Sequence, residues 1–202
     1  ALLEEHTEMP VLAIADASVV GNLPSLSSAD ADAVRQAVRY LYDLGHRQIA
    51  RVGGPESLAH SYIRDSAFAD VASELGMRYR CLHTDYTPET GREATKRLLA
   101  FSEHPTAIIY DNDVMALAGL GVAASQGIKV PEEISIMSWD DSLMCTAAYP
   151  NLTAMGRDVV DTGKQAAGLL LKLIGGERVG HLMEGPYELR ARASTGPAPA
   201  AE

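Results

Sequence analysis

The sequence predicts an α/β fold: parallel sheets covered on both faces by helices. Strand-like and helix-like runs alternate along the 202 residues almost without a break. Several strand segments, such as Thr106 to Tyr110 and Ile134 to Trp139, are short apolar runs suited to burial on both faces. Glycines close the helical runs at Gly45, Gly76, Gly127 and Gly175-Gly176.

The elements follow in order. Val11 to Asp16, after Pro10, and Leu23 to Ser28 read as strands. A helix capped by Ser28 or Asp30 then places Val34, Ala37, Val38, Leu41 and Leu44 at helical spacing. Leu44-Gly45-His46-Arg47 reads as a helix end, with glycine where φ turns positive and cations where the helix dipole favours them. Gln48 to Val52 is a strand, and Gly53-Gly54-Pro55 lets backbone approach whatever lies at its carboxyl end. Ser61 to Leu75 is a helix with Ile63, Ala67, Phe68, Val71, Ala72 and Leu75 on one stripe. A strand at 79–83 is followed by a helix at 88–100 with proline in its first turn. Strand 106–110, helix 114–126 and strand 134–139 follow, then a short extended piece at 152–155. A long helix runs from Asp158 to Ile174, and 181–184 and 187–192 are the last extended runs. Residues 198–202 read as a disordered tail.

Composition narrows the function classes. Hydrophobic content of 47% with a mixed charged surface belongs to a globular chain. A net charge of −10 and dispersed Lys and Arg argue against a nucleic-acid surface on this chain. Cys81 and Cys145 form no CxxC and suit a reducing compartment. No apolar run reaches transmembrane length, and no charged-then-apolar leader is present. The six histidines make no HxH or HExxH, and there is no GxSxG, no phosphate loop with lysine and no GxGxxG. The expectation is no catalytic residue, no metal and no cofactor.

Three segments carry polar groups to places where α/β sheets bind ligands. Tyr110-Asp111-Asn112-Asp113 joins a strand directly to a helix; Asn112 and Asp113 suit an N-cap as well as a ligand contact. Asp140-Asp141 ends the strand that carries Trp139. Neighbouring carboxylates on extended chain point apart, unlike a facing catalytic pair. Asp141 suits a turn or cap, and Trp139 suits either the core or a stacking surface. Arg64 lies one turn before Phe68 on the buried side of its helix, and pairs either with Asp65 or Asp70 or with a ligand.

Together these segments resemble the effector-binding core of the LacI/GalR family of bacterial transcription regulators. The resemblance rests on Leu44 to Pro55 (LGHRxIAxxGGP), Pro105 to Leu117, Val130 to Asp141 and Pro150 to Met155. It extends through Gly163, Ala166, Ala167, Leu170 and Leu171 to Ala191 to Pro197. Ser138 stands where the family usually has glycine, and Trp139 where it has Phe or Tyr. The resemblance implies a periplasmic-binding-protein-like type I fold of two lobes, the amino-terminal one truncated. Residues 1–29 with 158–185 would be a remnant of that lobe, and 30–157 with 186–197 the carboxy-terminal lobe. It implies a small polar effector, a sugar or a nucleoside- or purine-like molecule, held between the lobes. The ligand-binding residues expected are Arg64, Asn112, Asp140, Trp139 and Tyr110. An aspartate at 140 suits paired hydroxyls or ring N–H groups, and Arg64 a bidentate clamp. A homodimer seam through Leu117, Val114 and Leu143 is also implied. Operator DNA would be reached only through a helix-turn-helix module absent from this chain, in the cytoplasm and without a membrane. Two alternatives stand beside this reading: a periplasmic sugar-binding protein of a transporter, and a flavodoxin-like hydrolase using Asp140 and Asp141.

Overall fold

In the computed structural model, residues 9–200 are described. The chain opens with β1 (Ala13–Ile14), α1 (Ala17–Val20), β2 (Ser25–Ser27), α2 (Asp30–Asp43) and β3 (Gln48–Gly53). It continues through α3 (Ala59–Glu74), β4 (Arg78–His83), α4 (Pro88–Leu99), β5 (Ala107–Tyr110) and α5 (Asp113–Ser125). β6 (Ser135–Trp139), α6 (Leu143–Ala147), β7 (Thr153–Gly156), α7 (Val159–Ile174), β8 (His181–Met183) and β9 (Glu188–Arg190) complete it. Two compact units result: Ala1–Ala29 with Asp158–Pro186, and Asp30–Arg157 with Tyr187–Glu202.

The larger unit is built on a six-stranded sheet of order β4-β3-β5-β6-β7-β9. Five strands are parallel, and β9 pairs antiparallel with β7, Leu189 opposite Met155. The sheet is thus parallel as expected apart from β9 at this edge. Helices α2 and α3 cover one face: Val34, Ala37, Val38, Leu41, Phe68, Val71 and Ala72 pack on Ile49, Ile109, Met137 and Met155. α4 and α5 cover the other, with Leu98, Met115, Ala116 and Leu120 on Ala50, Val52, Ile108, Ile136 and Ala154. Both faces being covered explains why β5, β6 and β7 are buried at every residue. The amino edge of the sheet is closed by His46, which is fully buried. Its Nδ1 lies 2.8 Å from Thr106 Oγ1 and its Nε2 3.1 Å from Ser135 Oγ and 3.2 Å from the Gly196 carbonyl. The chain end departs from the expectation of a disordered tail at its start, since the Ala198 N–H donates to Leu44 O at 2.8 Å. Residues 201–202 lie outside the described residues.

The smaller unit has three parallel strands in the order β1-β2-β8, with Leu26 between Ile14 and Leu182. β1 is shorter than the 11–16 run suggests, because Asp16 turns out of the strand and caps α1, accepting from Ser18 N. α7 is capped by Asp158 and buries none of its residues; Val159, Val160, Leu171 and Ile174 are each more than 60% exposed. α6 is a helix that the apolar run 143–149 did not announce; Ser142 caps it. Among the described residues no helix is long and apolar enough to cross a membrane.

Candidate functional site

Parallel pairing brings the carboxyl ends of β3, β4, β5 and β6 to one edge of the larger unit's sheet. Arg64, on the second turn of α3, is the hub of that edge. It is 8% exposed. Its Nε donates to Asp30 Oδ1 at 2.7 Å, its Nη1 lies 3.5 Å from Asp111 Oδ2, and its guanidinium sits 4.5 Å over the Trp139 ring. Burial alone would lower its pKa; Asp111 and Asp30 more than offset that and raise it, so the group is a fixed cation. Asp30, the first residue of α2, also accepts from the Tyr187 hydroxyl at 3.2 Å.

The carboxylates form a ladder beyond Arg64. Asp111 receives Arg51 Nε at 2.8 Å and Arg51 Nη2 beside it. Arg51 Nη1 reaches Asp65, and Asp65 Oδ2 lies 2.8 Å from His83 Nε2. His83 Nδ1 faces Glu56 at 2.9 Å.

Tyr86 closes the side next to β3. The hydroxyl end of its ring stands against Gly54, where a Cβ would lie 1.9 Å from the ring Cζ, so glycine leaves the ring its place. Tyr86 takes φ +68, its hydroxyl lies 2.7 Å from His60 Nε2, and its carbonyl accepts from Asn112 Nδ2 at 3.2 Å. Burial lowers the pKa of His60, with the charge of Arg64 adding to it, so the ring is neutral at pH 7. Burial likewise raises the Tyr86 hydroxyl.

Asp140 stands at the end of β6 in the left-handed region, φ +67, with its side chain reaching solvent. The protein around it withholds water from the carboxyl and raises its pKa, against the pull of Arg64 and Arg157 and with Asp113 and Asp111 adding to the rise. A positive φ on a non-glycine residue costs about 1 kcal/mol or more and persists where the surroundings impose it. Asp141 is turned elsewhere. It takes Arg192 as a two-bond fork at 2.7 and 2.8 Å and Arg190 at 2.6 Å, in space left by Gly156. The adjacent carboxylates thus serve different partners, which removes the facing acid pair that a hydrolase reading needs.

The expected residues fall into three groups. Arg64 and Asp140 stand on the edge. Asn112 is there too, with its side chain already engaged: Oδ1 caps α5 by accepting from Met115 N at 2.8 Å, and Nδ2 donates to the Tyr86 carbonyl. Trp139 and Tyr110 are corrections. Trp139 is 1% exposed, covered by Arg64 and by Tyr187 at 5.2 Å between ring centroids, so it supports the cation instead of offering a face to a ligand. Tyr110 is fully buried beneath Gly119, its hydroxyl 2.7 Å from Thr95 Oγ1. Among the seam residues, Val114 and Leu117 are half-buried and Leu143 is 82% exposed. Arg51, Asp111, Asp30, His60 and Tyr86 were missed by sequence reasoning. A signal existed for Arg51, since a charge inside the apolar run Ile49 to Val52 demands a buried partner.

The model of the periplasmic binding protein-like domain matches residues 38–195. The chain is 32% identical over 202 residues to the HTH-type transcriptional repressor CytR of Escherichia coli K12, a match covering 96% of this chain and 59% of the repressor. It therefore spans well under two thirds of that relative's length. A LacI family transcriptional regulator from Bifidobacterium animalis subsp. lactis superposes with a TM-score of 0.94 at 58% identity, covering 98% of this chain and 73% of that one. The lac repressor dimer bound to operator and an anti-inducer superposes with a TM-score of 0.87 at 26% identity, covering 96% and 68%. With matches of this extent and identity, the chain belongs to the LacI family of transcriptional regulators and carries its periplasmic-binding-protein-like core.

Proposed function

We propose that this chain is the effector-sensing part of a bacterial transcription regulator, and that a small polar molecule of the sugar or nucleoside class binds at the carboxyl edge of the six-stranded sheet. The observation that carries this reading is the convergence of a buried, fixed guanidinium (Arg64) and a strained, solvent-reaching carboxylate (Asp140) on one sheet edge. A cation that accepts nothing and a carboxylate that only accepts when ionised suit a ligand rich in hydroxyls or ring N–H groups. Tyr86 and His60 replace Trp139 and Tyr110 as the aromatic groups at the ligand. No chemistry is assigned: the ligand is bound and released unchanged. Its binding changes the affinity of a helix-turn-helix module for operator DNA, and the coupling is reciprocal. The setting is cytoplasmic.

A thermal-shift screen across sugars, sugar phosphates, nucleosides and purines tests the reading, because a ligand bound only by the folded state raises the melting temperature. Asp140→Ala then weakens the hit by about 2–4 kcal/mol in calorimetry while leaving the unliganded melt nearly unchanged. Wild-type affinity in that variant moves the pocket elsewhere. Turnover of the hit would favour an enzyme.

The dimer belongs to the same proposal. The seam runs through Val114, Leu117 and Leu143, and the exposures of Leu143 (82%), Met144 (42%) and Tyr149 (98%) support it, as does the dimeric lac repressor. Leu117 packs partly on the core, so Leu143→Glu is the cleaner substitution. It should give monomer in sedimentation with unchanged far-UV circular dichroism; a wild-type chain that is monomeric at tens of micromolar ends the claim.

A further inference from the structure

Arg51 sits where the fold calls for an apolar residue. Along β3 it alternates with Ala50 and Val52, which face α4 and α5, and so shares the α2–α3 face with Ile49. It is 1% exposed. Its guanidinium meets both oxygens of Asp111 and one of Asp65. The Asp111 side chain is itself fully buried, and its Oδ2 also faces Arg64 Nη1 at 3.5 Å. One carboxylate therefore stands between two guanidiniums, one hidden in the sheet and one on the candidate ligand edge. Gly53 makes room for this: a Cβ there would stand 3.3 Å from three atoms of the Arg51 guanidinium.

A buried ion pair is a poor device for stability, since two apolar side chains of similar volume serve as well or better. What the pair does supply is direction. With Arg51 in place, Asp111 is neutralised from the sheet side and takes only a long contact from Arg64, which keeps its short bond to Asp30 and its seat over Trp139. Without Arg51, Asp111 has Arg64 as its nearest remaining cation, and would draw it off Asp30 and the indole. We propose that Arg51 is a positioning residue: through Asp111 it fixes where the Arg64 guanidinium stands, and so the geometry that a ligand meets. Its relevance to the ligand rests on the reading of Arg64 as an anchor; the positioning itself does not.

The chain has a single tryptophan, Trp139, directly beneath Arg64, so its emission reports the seat of that cation without any ligand. Emission spectra and thermal melts of Arg64→Met, Arg51→Met and the double variant Arg51→Met with Asp111→Leu test the proposal. Arg64→Met defines the spectrum of an indole without its cation. The Arg51→Met spectrum should move away from wild type, toward that reference. The double variant leaves neither member of the pair behind as a lone charge. It should melt at or above the wild-type temperature while its spectrum returns toward wild type, because the carboxylate that would draw Arg64 off Asp30 and the indole is gone. An Arg51→Met spectrum identical to wild type overturns the proposal, as does a folded double variant that stays as displaced as Arg51→Met. So does a double variant that fails to fold, since the pair would then be a stability element. If Arg51→Met alone does not fold, Arg51→Gln, which removes the charge and keeps a donor for Asp111, takes its place in the comparison. Failure of every compound in the ligand screen would sink the functional reading and leave this outcome untouched.

Discussion

The two edges of the six-stranded sheet hold buried polar clusters of opposite kinds. At the amino edge, His46 joins Thr106, Ser135 and the Gly196 carbonyl by hydrogen bonds between uncharged groups. A carbonyl only accepts, so Nε2 carries the proton and the neutral ring leaves Nδ1 to accept from Thr106. At the carboxyl edge, Arg51, Arg64, Asp30 and Asp111 are bonded as full charges. The first cluster ties the helix end at Gly45, two strand starts and the chain end into one closed corner, with nothing left to recognise. The second maintains charge where water has been excluded, at a cost that only opposing charges offset. Neutral closure serves the fold; held charge at the other end is what the proposed ligand site is built on.

The largest expected effect tests whether the charged cluster is held by pairing. Asp111→Ala strands Arg51 in the sheet with Asp65 as its remaining partner and should cost about 3–5 kcal/mol in urea denaturation. If Asp111→Ala loses no more than a surface substitution, about 0.5 kcal/mol, the carboxyl edge is not held by charge and the contrast fails.

The neutral cluster is next. His46→Ala should cost about 2–3 kcal/mol, since it leaves a buried carbonyl and hydroxyls short of partners and opens a cavity. Burial lowers the His46 pKa from 6.5, ahead of the opposing bond to Gly196. A depressed histidine binds its proton less readily folded than unfolded. Its contribution is therefore present in full above pH 6.5 and is lost as pH falls below it toward the folded value. His46→Asn should flatten the stability curve over that window, read as the difference from wild type so that His60 and Asp140 cancel. A parallel decline in wild type and His46→Asn would mean that another group carries the acid sensitivity.

The two clusters were unequally legible. His46 was visible as a residue after a helix-ending glycine, although as a capping cation rather than a buried neutral ring. The strands and helices were read nearly to the residue wherever apolar spacing and glycine stops agreed, as for 48–53, 88–99 and 113–125. α6 was missed because its five residues are too few for periodicity. The partners of Arg64 could not be read. Asp65 and Asp70 are near in sequence, but Arg64 points into the sheet, where Asp30 and Asp111 arrive from other elements. Adjacent helical residues do not face each other, and Asp65 serves Arg51 instead. Tyr110 and Trp139 were placed on the ligand for their position at strand ends. Tyr110 shares a face with Ile108 and Trp139 the opposite face with Met137, and because helices cover both faces either side of the pleat is buried.

Asp141 sharpens the contrast from between the extremes. It has the charged chemistry of the carboxyl edge, but its partners reach solvent: its own side chain is 5% exposed, while those of Arg192 and Arg190 are 20% and 41% exposed. The bond from Arg192 leads, desolvation opposes it, and the bond from Arg190 adds to the lowering, so the Asp141 carboxyl is held below its usual 3.8. A depressed carboxylate contributes stability above its unfolded pKa and loses it as pH falls through the lower folded value, so the effect lies below pH 3.8, clear of the His46 window. Solvent screening of the arginines keeps the pair near the range of exposed ion pairs, with the two-bond fork to Arg192 placing it at the upper end. Asp141→Asn should therefore cost about 1 kcal/mol at pH 7, and about half of that difference should vanish in 1 M salt, where screening reaches within 3 Å. Because the clamp joins the end of β6 to β9, hydrogen exchange at 188–192 should rise in the variant while exchange along β3 and β5 stays as it was. A loss as large as that of Asp111→Ala, insensitive to salt, would mean that burial of charge alone, and not the exclusion of solvent from both partners, sets the difference between the two ends of the sheet.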